Sequence, residues 1–159
     1  MRSLLTIVVP MVLLLAGNVD AQTRDGLKVF VSVDMEGIAG VVTSEECSSA
    51  GPDYGYFRRI MSHEANAAVL GAFDAGATEV VVRDSHGSGR NILPDILDPR
   101  AKLLRDWSGG PMGMMEGIDD SFDAVVFIGY HARAGTADAI IDHTSSGNVV
   151  DFAINGRSL

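Results

Sequence analysis

Cysteine and positive charge are both scarce in this sequence, and each scarcity removes a class of explanation. The single cysteine, Cys47, cannot close an internal disulfide even in an oxidising compartment, so the fold must stand on its core. As a catalytic thiol it competes with the plainer reading of a small, partly buried bystander. Lys and Arg number 12 against 21 Asp and Glu, a net charge of −9. That balance argues against a nucleic-acid partner, because phosphate backbones are bound by basic patches. No internal repeat and no low-complexity segment is present. Gly87-Ser88-Gly89 hints at a phosphate loop, but the Lys-Ser/Thr of a P-loop and the full dinucleotide fingerprint are missing, and a simple turn is expected there.

Long apolar runs are also few. The run from Leu4 to Ala16 follows Arg2 and precedes Val19-Asp20-Ala21, the three parts of a secretory signal, and it is short for a membrane span of roughly 20 residues. Residues 1–21 are therefore expected to be removed as a signal peptide, with export to a periplasm or the medium; an uncleaved anchor is the alternative. Residues 22–159 suffice for one domain, since domains commonly run about 100 to 150 residues, and no stable membrane span is expected after cleavage.

What is there alternates regularly. Leu27 to Val33 is β-branched and apolar, and a polar loop from Thr43 to Pro52 leads into a helical period. Phe57, Ile60, Met61, Ala65, Ala68, Val69, Ala72 and Phe73 follow the three-and-four spacing of one helix face, and Gly76 supplies the stop. Thr78 to Val82 reads as a second strand, Ala124 to Gly129 as a third, and the segment between them is punctuated by Gly and Pro. Near-continuous apolar strands separated by a crossover helix imply an α/β fold, a mainly parallel sheet with helices on both faces.

Ligands of open α/β sheets bind outside the carboxyl ends of the strands. The first strand ends in Asp34-Met35-Glu36-Gly37, the second runs into Asp84-Ser85-His86, and the third ends in Gly129-Tyr130-His131. Asp34 and Glu36 point to the same side of an extended chain, so their charges either face solvent, with Asp34 capping the next element, or share a cation. Two carboxylates and the imidazoles of His86 and His131 make a mixed oxygen and nitrogen set that suits zinc better than magnesium or calcium. Asp34 is the natural bridge between two cations, with Glu36 holding one of them. His143, after Ile140-Ile141-Asp142, adds another imidazole near the same edge, whereas His63 is an ordinary, partly exposed helical residue. Ser85 and His86 do not form a nucleophile and base, since neighbours on an extended chain point apart. Met112, Met114 and Met115, interleaved with glycine, read as flexible packing residues.

Ser32-Val33-Asp34-Met35-Glu36-Gly37, Asp84-Ser85-His86, the run from Met115 to Phe122 and Gly129-Tyr130-His131-Ala132-Arg133-Ala134 together resemble the binuclear zinc D-aminopeptidase family associated with dipeptide transport. The likeness extends from about Lys28 to the last residue. It implies a metallo-aminopeptidase that removes N-terminal residues, D-amino acids by inheritance from the family, from short peptides. It implies two Zn2+ per intact subunit, with Asp34 bridging them, Glu36, His86 and His131 as further ligands, and His143 as the catalytic residue. It also implies homo-oligomeric rings.

The family's remaining ligand is a glutamate a few residues beyond the turn at Asn155-Gly156-Arg157. The chain is therefore expected to be the N-terminal part of a longer protein and, by itself, inactive. Asn155-Gly156 is a hairpin signal after the strand expected over Val149 to Ile154. Two other readings stand beside the peptidase. Asp34-Met35-Glu36-Gly37 superficially resembles the Asp-x-Asp-Gly start of haloacid-dehalogenase-like magnesium phosphohydrolases, and an exported, non-catalytic metal-binding or peptide-binding module could use the same cluster.

Overall fold

The structure, a computed structural model, describes residues 26–145, 149 and 153–158. The expected signal segment and most of the strand expected over 149–154 lie outside the described residues. Strand β1, Leu27–Val33, is followed by a short helix α1, Ser44–Cys47, and a long helix α2, Tyr54–Asp74. Strand β2, Ala77–Asp84, strand β3, Lys102–Leu104, and strand β4, Ala124–Ile128, complete a sheet ordered β3-β2-β1-β4 in which every pairing is parallel. A small antiparallel hairpin, β5 at Ala153–Ile154 and β6 at Arg157–Ser158, turns at Asn155-Gly156 as the sequence signals.

One sheet face is closed by α2. Val29, Val31 and Val33 of β1, with Val80 and Val82 of β2, form one core with Met61, Ala65 and Val69 of the helix. The helix stops as expected: Gly76 takes the left-handed φ of +96°, and its N–H donates to the Phe73 carbonyl at 3.0 Å. His63 is exposed on this helix, as expected. Among the described residues the other face is covered by the irregular segment between β3 and β4, which carries a single 3-10 turn at Gly113–Met115. There Phe30 meets Phe122 edge-on at 5.2 Å, and Ser32 Oγ donates to the Met114 carbonyl at 3.0 Å.

Two elements escaped the sequence reading. Within the expected polar loop, Thr43 and Glu46 build a capping box that starts α1; Glu46 Oε2 accepts the Thr43 N–H at 2.9 Å. Strand β3 is short and flanked by polar residues, so it carries no apolar run to announce it. No helix among the described residues is long and apolar enough to cross a membrane.

Candidate metal centre

Because all pairings are parallel, the carboxyl ends of β1, β2 and β4 lie side by side: Val33 is in register with Asp84 on one flank and Ile128 on the other. The chain beyond each strand is clamped to its neighbour by backbone hydrogen bonds. Asp34 N donates to the Ile128 carbonyl at 2.8 Å, Gly37 N to Gly129 at 2.7 Å, and Ser85 N to Val33 at 2.8 Å. This is what gathers the predicted residues. Asp34, 2 % exposed, Glu36 and His131 offer ligand atoms that all lie within 4.8 Å of one another. His86 Nδ1 lies 3.3 Å from Asp34 Oδ1 and 3.1 Å from Glu36 Oε2. His131 Nε2 is 3.6 Å from Asp34 Oδ2. The two oxygens of Asp34 thus face two different imidazoles.

Each of these imidazoles is oriented from behind. His86 Nε2 is 2.9 Å from the Cys47 carbonyl, and His131 Nδ1 is 2.8 Å from the Ala132 carbonyl. A carbonyl can only accept, so each ring keeps a proton on that nitrogen and turns its other nitrogen to the carboxylates, the tautomer a metal ligand requires. The loop carrying His86 is held by Asp84, fully buried, whose carboxylate accepts the N–H groups of Asn91 at 2.6 Å and Ile92 at 2.7 Å and the Asn91 amide at 2.7 Å. His143 arrives by another route. A bridge between Ala132 and Asp142, with His143 N donating to the Ala132 carbonyl at 3.2 Å, stacks its ring on His131 at 3.7 Å, with Nε2 3.9 Å from Glu36 Oε1.

The electrostatics reflect two carboxylates crowded in a half-buried site. Burial opposes charge on His86, but its hydrogen bonds to Asp34 and Glu36 outweigh that and push the imidazole up to about 10. Burial pushes Glu36 up, and the opposing interactions, led by His86, bring it down to about 2. Asp34 is raised, chiefly by burial. The spacing discriminates between ion pairing and metal ligation. Tetrahedral zinc holds N and O ligands at about 2.0–2.2 Å, which sets the ligand atoms about 3.3–3.6 Å apart, whereas charge-assisted hydrogen bonds run about 2.7–2.9 Å. The 3.3 and 3.6 Å to Asp34 fall within the first spacing, and the 3.1 Å between His86 and Glu36 lies midway between the two. The donor chemistry, the tautomers and the spacing fit zinc.

Other residues take the places expected or acquire a new role. Ser85 Oγ accepts from or donates to Ser32 Oγ at 2.8 Å and lies 2.8 Å from the Met114 carbonyl, so it is engaged with these groups and not with His86. Gly87-Ser88-Gly89 is a turn, closed by Gly89 N donating to the His86 carbonyl at 2.7 Å. Burial and the carboxylates of Glu36 and Asp34 push the Cys47 thiol up to about 12, which leaves it a bystander; its backbone carbonyl, which no residue-type pattern reveals, is what orients His86. The cleft over these carboxylates and imidazoles, about 430 Å³, is also lined by Ser85, Trp107, Met114 and His143.

A parallel α/β sheet with paired carboxylates and opposed imidazoles at the carboxyl ends of its strands defines the class, a metallohydrolase-like site. The chain belongs to the M55 peptidase family, described as D-aminopeptidase, which matches residues 27–159. It is 41 % identical over 133 residues to a D-aminopeptidase of Bacillus subtilis (strain 168), a match covering 82 % of this chain and 47 % of that protein. Among solved structures it is similar to the Zn-dependent D-aminopeptidase DppA from Bacillus subtilis, a self-compartmentalizing protease. The TM-score is 0.79 at 40 % identity, over 84 % of this chain and 48 % of that one. The chain thus spans about half the length of the relatives it matches. A magnesium phosphohydrolase is not favoured: its first aspartate must stay open as a nucleophile, whereas both oxygens of Asp34 face imidazoles.

Proposed function

We propose that the protein to which this chain belongs is an exported zinc aminopeptidase that hydrolyses N-terminal residues, D-amino acids foremost, from short peptides, and that it assembles as a homo-oligomer. The observation that carries the reading is the pair of imidazoles, His86 and His131, each tethered by one nitrogen to a backbone carbonyl and facing opposite oxygens of Asp34 with the other. In this reading Asp34, Glu36, His86 and His131 would together hold the zinc. The family resemblance supports both the stereochemistry and the assembly. The signal-like residues 1–21 support export, and residues 22–159 would form the α/β domain.

Zinc, when bound, supplies a Lewis acid that polarises a peptide carbonyl and makes a water nucleophile accessible near neutral pH. The protein's own groups do the rest. His143, stacked on His131 at the rim of the cleft, exchanges protons with the reacting groups or donates to the developing oxyanion. Its Nε2 lies on the side of Glu36, 3.9 Å from Oε1. The acidic surroundings hold the substrate's free ammonium group.

The test is metal analysis combined with turnover in the full chain. About two zincs per subunit, as a two-metal site requires, should accompany release of N-terminal D-alanine. His143→Ala should keep the zinc while turnover drops by roughly 10² to 10⁴, and His131→Ala should lose metal as well. Zinc binding without any peptide turnover would replace the enzyme with the binding module.

A further inference from the structure

The chain has one tryptophan, Trp107, and the structure holds it in an unusual way. Its Nε1–H donates to the Gly87 carbonyl at 2.8 Å, one residue past the ligand candidate His86. Its ring lies against the Arg83 guanidinium, 4.3 Å from centroid to carbon. Arg83 sits on β2 and is only 2 % exposed. Its NH1 donates to the Asp106 carbonyl at 2.6 Å and its NH2 is 3.4 Å from Glu116 Oε2, while Nε and NH2 have no hydrogen-bond partner among the described residues. Burying a guanidinium so sparsely hydrogen-bonded is costly. Two of its contacts, to the Asp106 carbonyl and the Trp107 ring, fall on the segment that carries Trp107.

That segment is clamped to the loop bearing His86. Asp106, at a φ of 66°, donates its N–H to the Gly89 carbonyl at 2.7 Å. Gly89 allows the approach, since a Cβ there would lie 3.0 Å from the Asp106 nitrogen and 3.1 Å from its Cα. The indole is therefore fixed before any ligand arrives, yet 36 % of it stays exposed, and it lines the same cleft as Asp34, Glu36, His86, His131 and His143. It and Met114 are the large apolar side chains among the residues that line this cleft. A preordered aromatic face offers large apolar contact at little further entropic cost.

We propose that Trp107 is a specificity-determining residue, receiving an apolar side chain of the peptide next to the bond that is cleaved, and that Arg83 is the positioning residue that holds the indole in place. The proposal rests on the aminopeptidase reading above and names the kind of peptide it prefers.

The test uses the full chain loaded with zinc and dipeptides of glycine or D-residues that carry small side chains (glycine, D-alanine) or large apolar ones (D-leucine, D-phenylalanine). W107A should raise KM for the large apolar peptides by about two- to tenfold relative to the small ones, the scale of one aromatic contact, with zinc content unchanged. W107F should keep the preference, and R83M should shift KM in the same direction as W107A. An equal loss of kcat on all peptides, or an unchanged ratio between them, overturns the proposal; if R83M does not fold, the two Trp107 variants decide. Fluorescence supplies a readout independent of hydrolysis: the emission that W107F removes should shift on titration with D-leucine or D-phenylalanine peptides and not with glycine peptides. No such shift overturns the proposal even where turnover is intact. Failure of the aminopeptidase reading looks different, with the zinc-loaded wild type cleaving none of the peptides.

Discussion

Gly129→Ala tests whether the backbone clamp between the ends of β1 and β4 builds the site. Gly129 has a φ of +68°, and a Cβ there would lie 2.3 Å from the Asp34 carbonyl oxygen and 2.6 Å from Ile38 Cγ2. The reciprocal face is equally close: a Cβ on Gly37 would lie 2.3 Å from the Tyr130 carbonyl oxygen. Ordinary contact begins near 3.4 Å, so the backbone at Asp34 would have to retreat by about 1 Å. The left-handed conformation costs an alanine about 1–2 kcal/mol, and overpacking against backbone adds about 1–3 kcal/mol. The expected loss of stability is therefore about 2–5 kcal/mol. The same retreat moves Asp34 away from His131, and a displacement of about 1 Å is enough to cost roughly 10²-fold in rate. Urea denaturation, zinc content and kcat/KM, measured on the same preparation of the full chain, check this. A variant with unchanged urea midpoint, zinc stoichiometry and kcat/KM would refute the claim that this close approach sets the ligand geometry.

Three further outcomes are expected. Asp84→Ala strips the acceptor from buried donors of Asn91 and Ile92, each worth about 1–3 kcal/mol when left unpaired; stability should fall by about 3 kcal/mol or more in denaturant melts, and a change below about 1 kcal/mol would mean that the loop is held by something else. His86, pushed up to about 10, carries a proton near neutrality that a metal on Nδ1 must displace, so zinc binding to stripped protein should release protons and tighten as pH rises. Because the shift is upward, His86 stabilises the stripped protein fully below its ordinary value of 6.5, and that stability is lost as pH rises through about 10. Calorimetry in buffers of different ionisation enthalpy, showing no proton release, would count against His86 as a ligand. Exported protein should begin at Gln22 on N-terminal sequencing, and a start at Met1 would remove the signal-peptide reading.

The sequence by itself determined that β1, β2 and β4 form a parallel sheet and that Asp34, Glu36, His86 and His131 meet at one of its edges. β1 and β2, largely buried, leave continuous apolar runs, β4 keeps such a run although it lies at the sheet edge with Val125 and Phe127 exposed, and parallel strands must all end on the same side. Placing α1 needed the reciprocal capping of Thr43 and Glu46, which is local but easily lost in a polar stretch; β3 has no periodicity of its own and exists because β2 offers it a free edge. What only the tertiary structure decided is how the side chains are turned. The tautomer of His86 depends on a carbonyl at Cys47, 39 residues away in sequence, and any residue type there would present the same carbonyl. The stacking of His143 on His131 follows from the bridge between Ala132 and Asp142, and the setting of Trp107 from a buried Arg83. Backbone acceptors and packed rings act through position alone, so they imprint no residue pattern until the chain has folded.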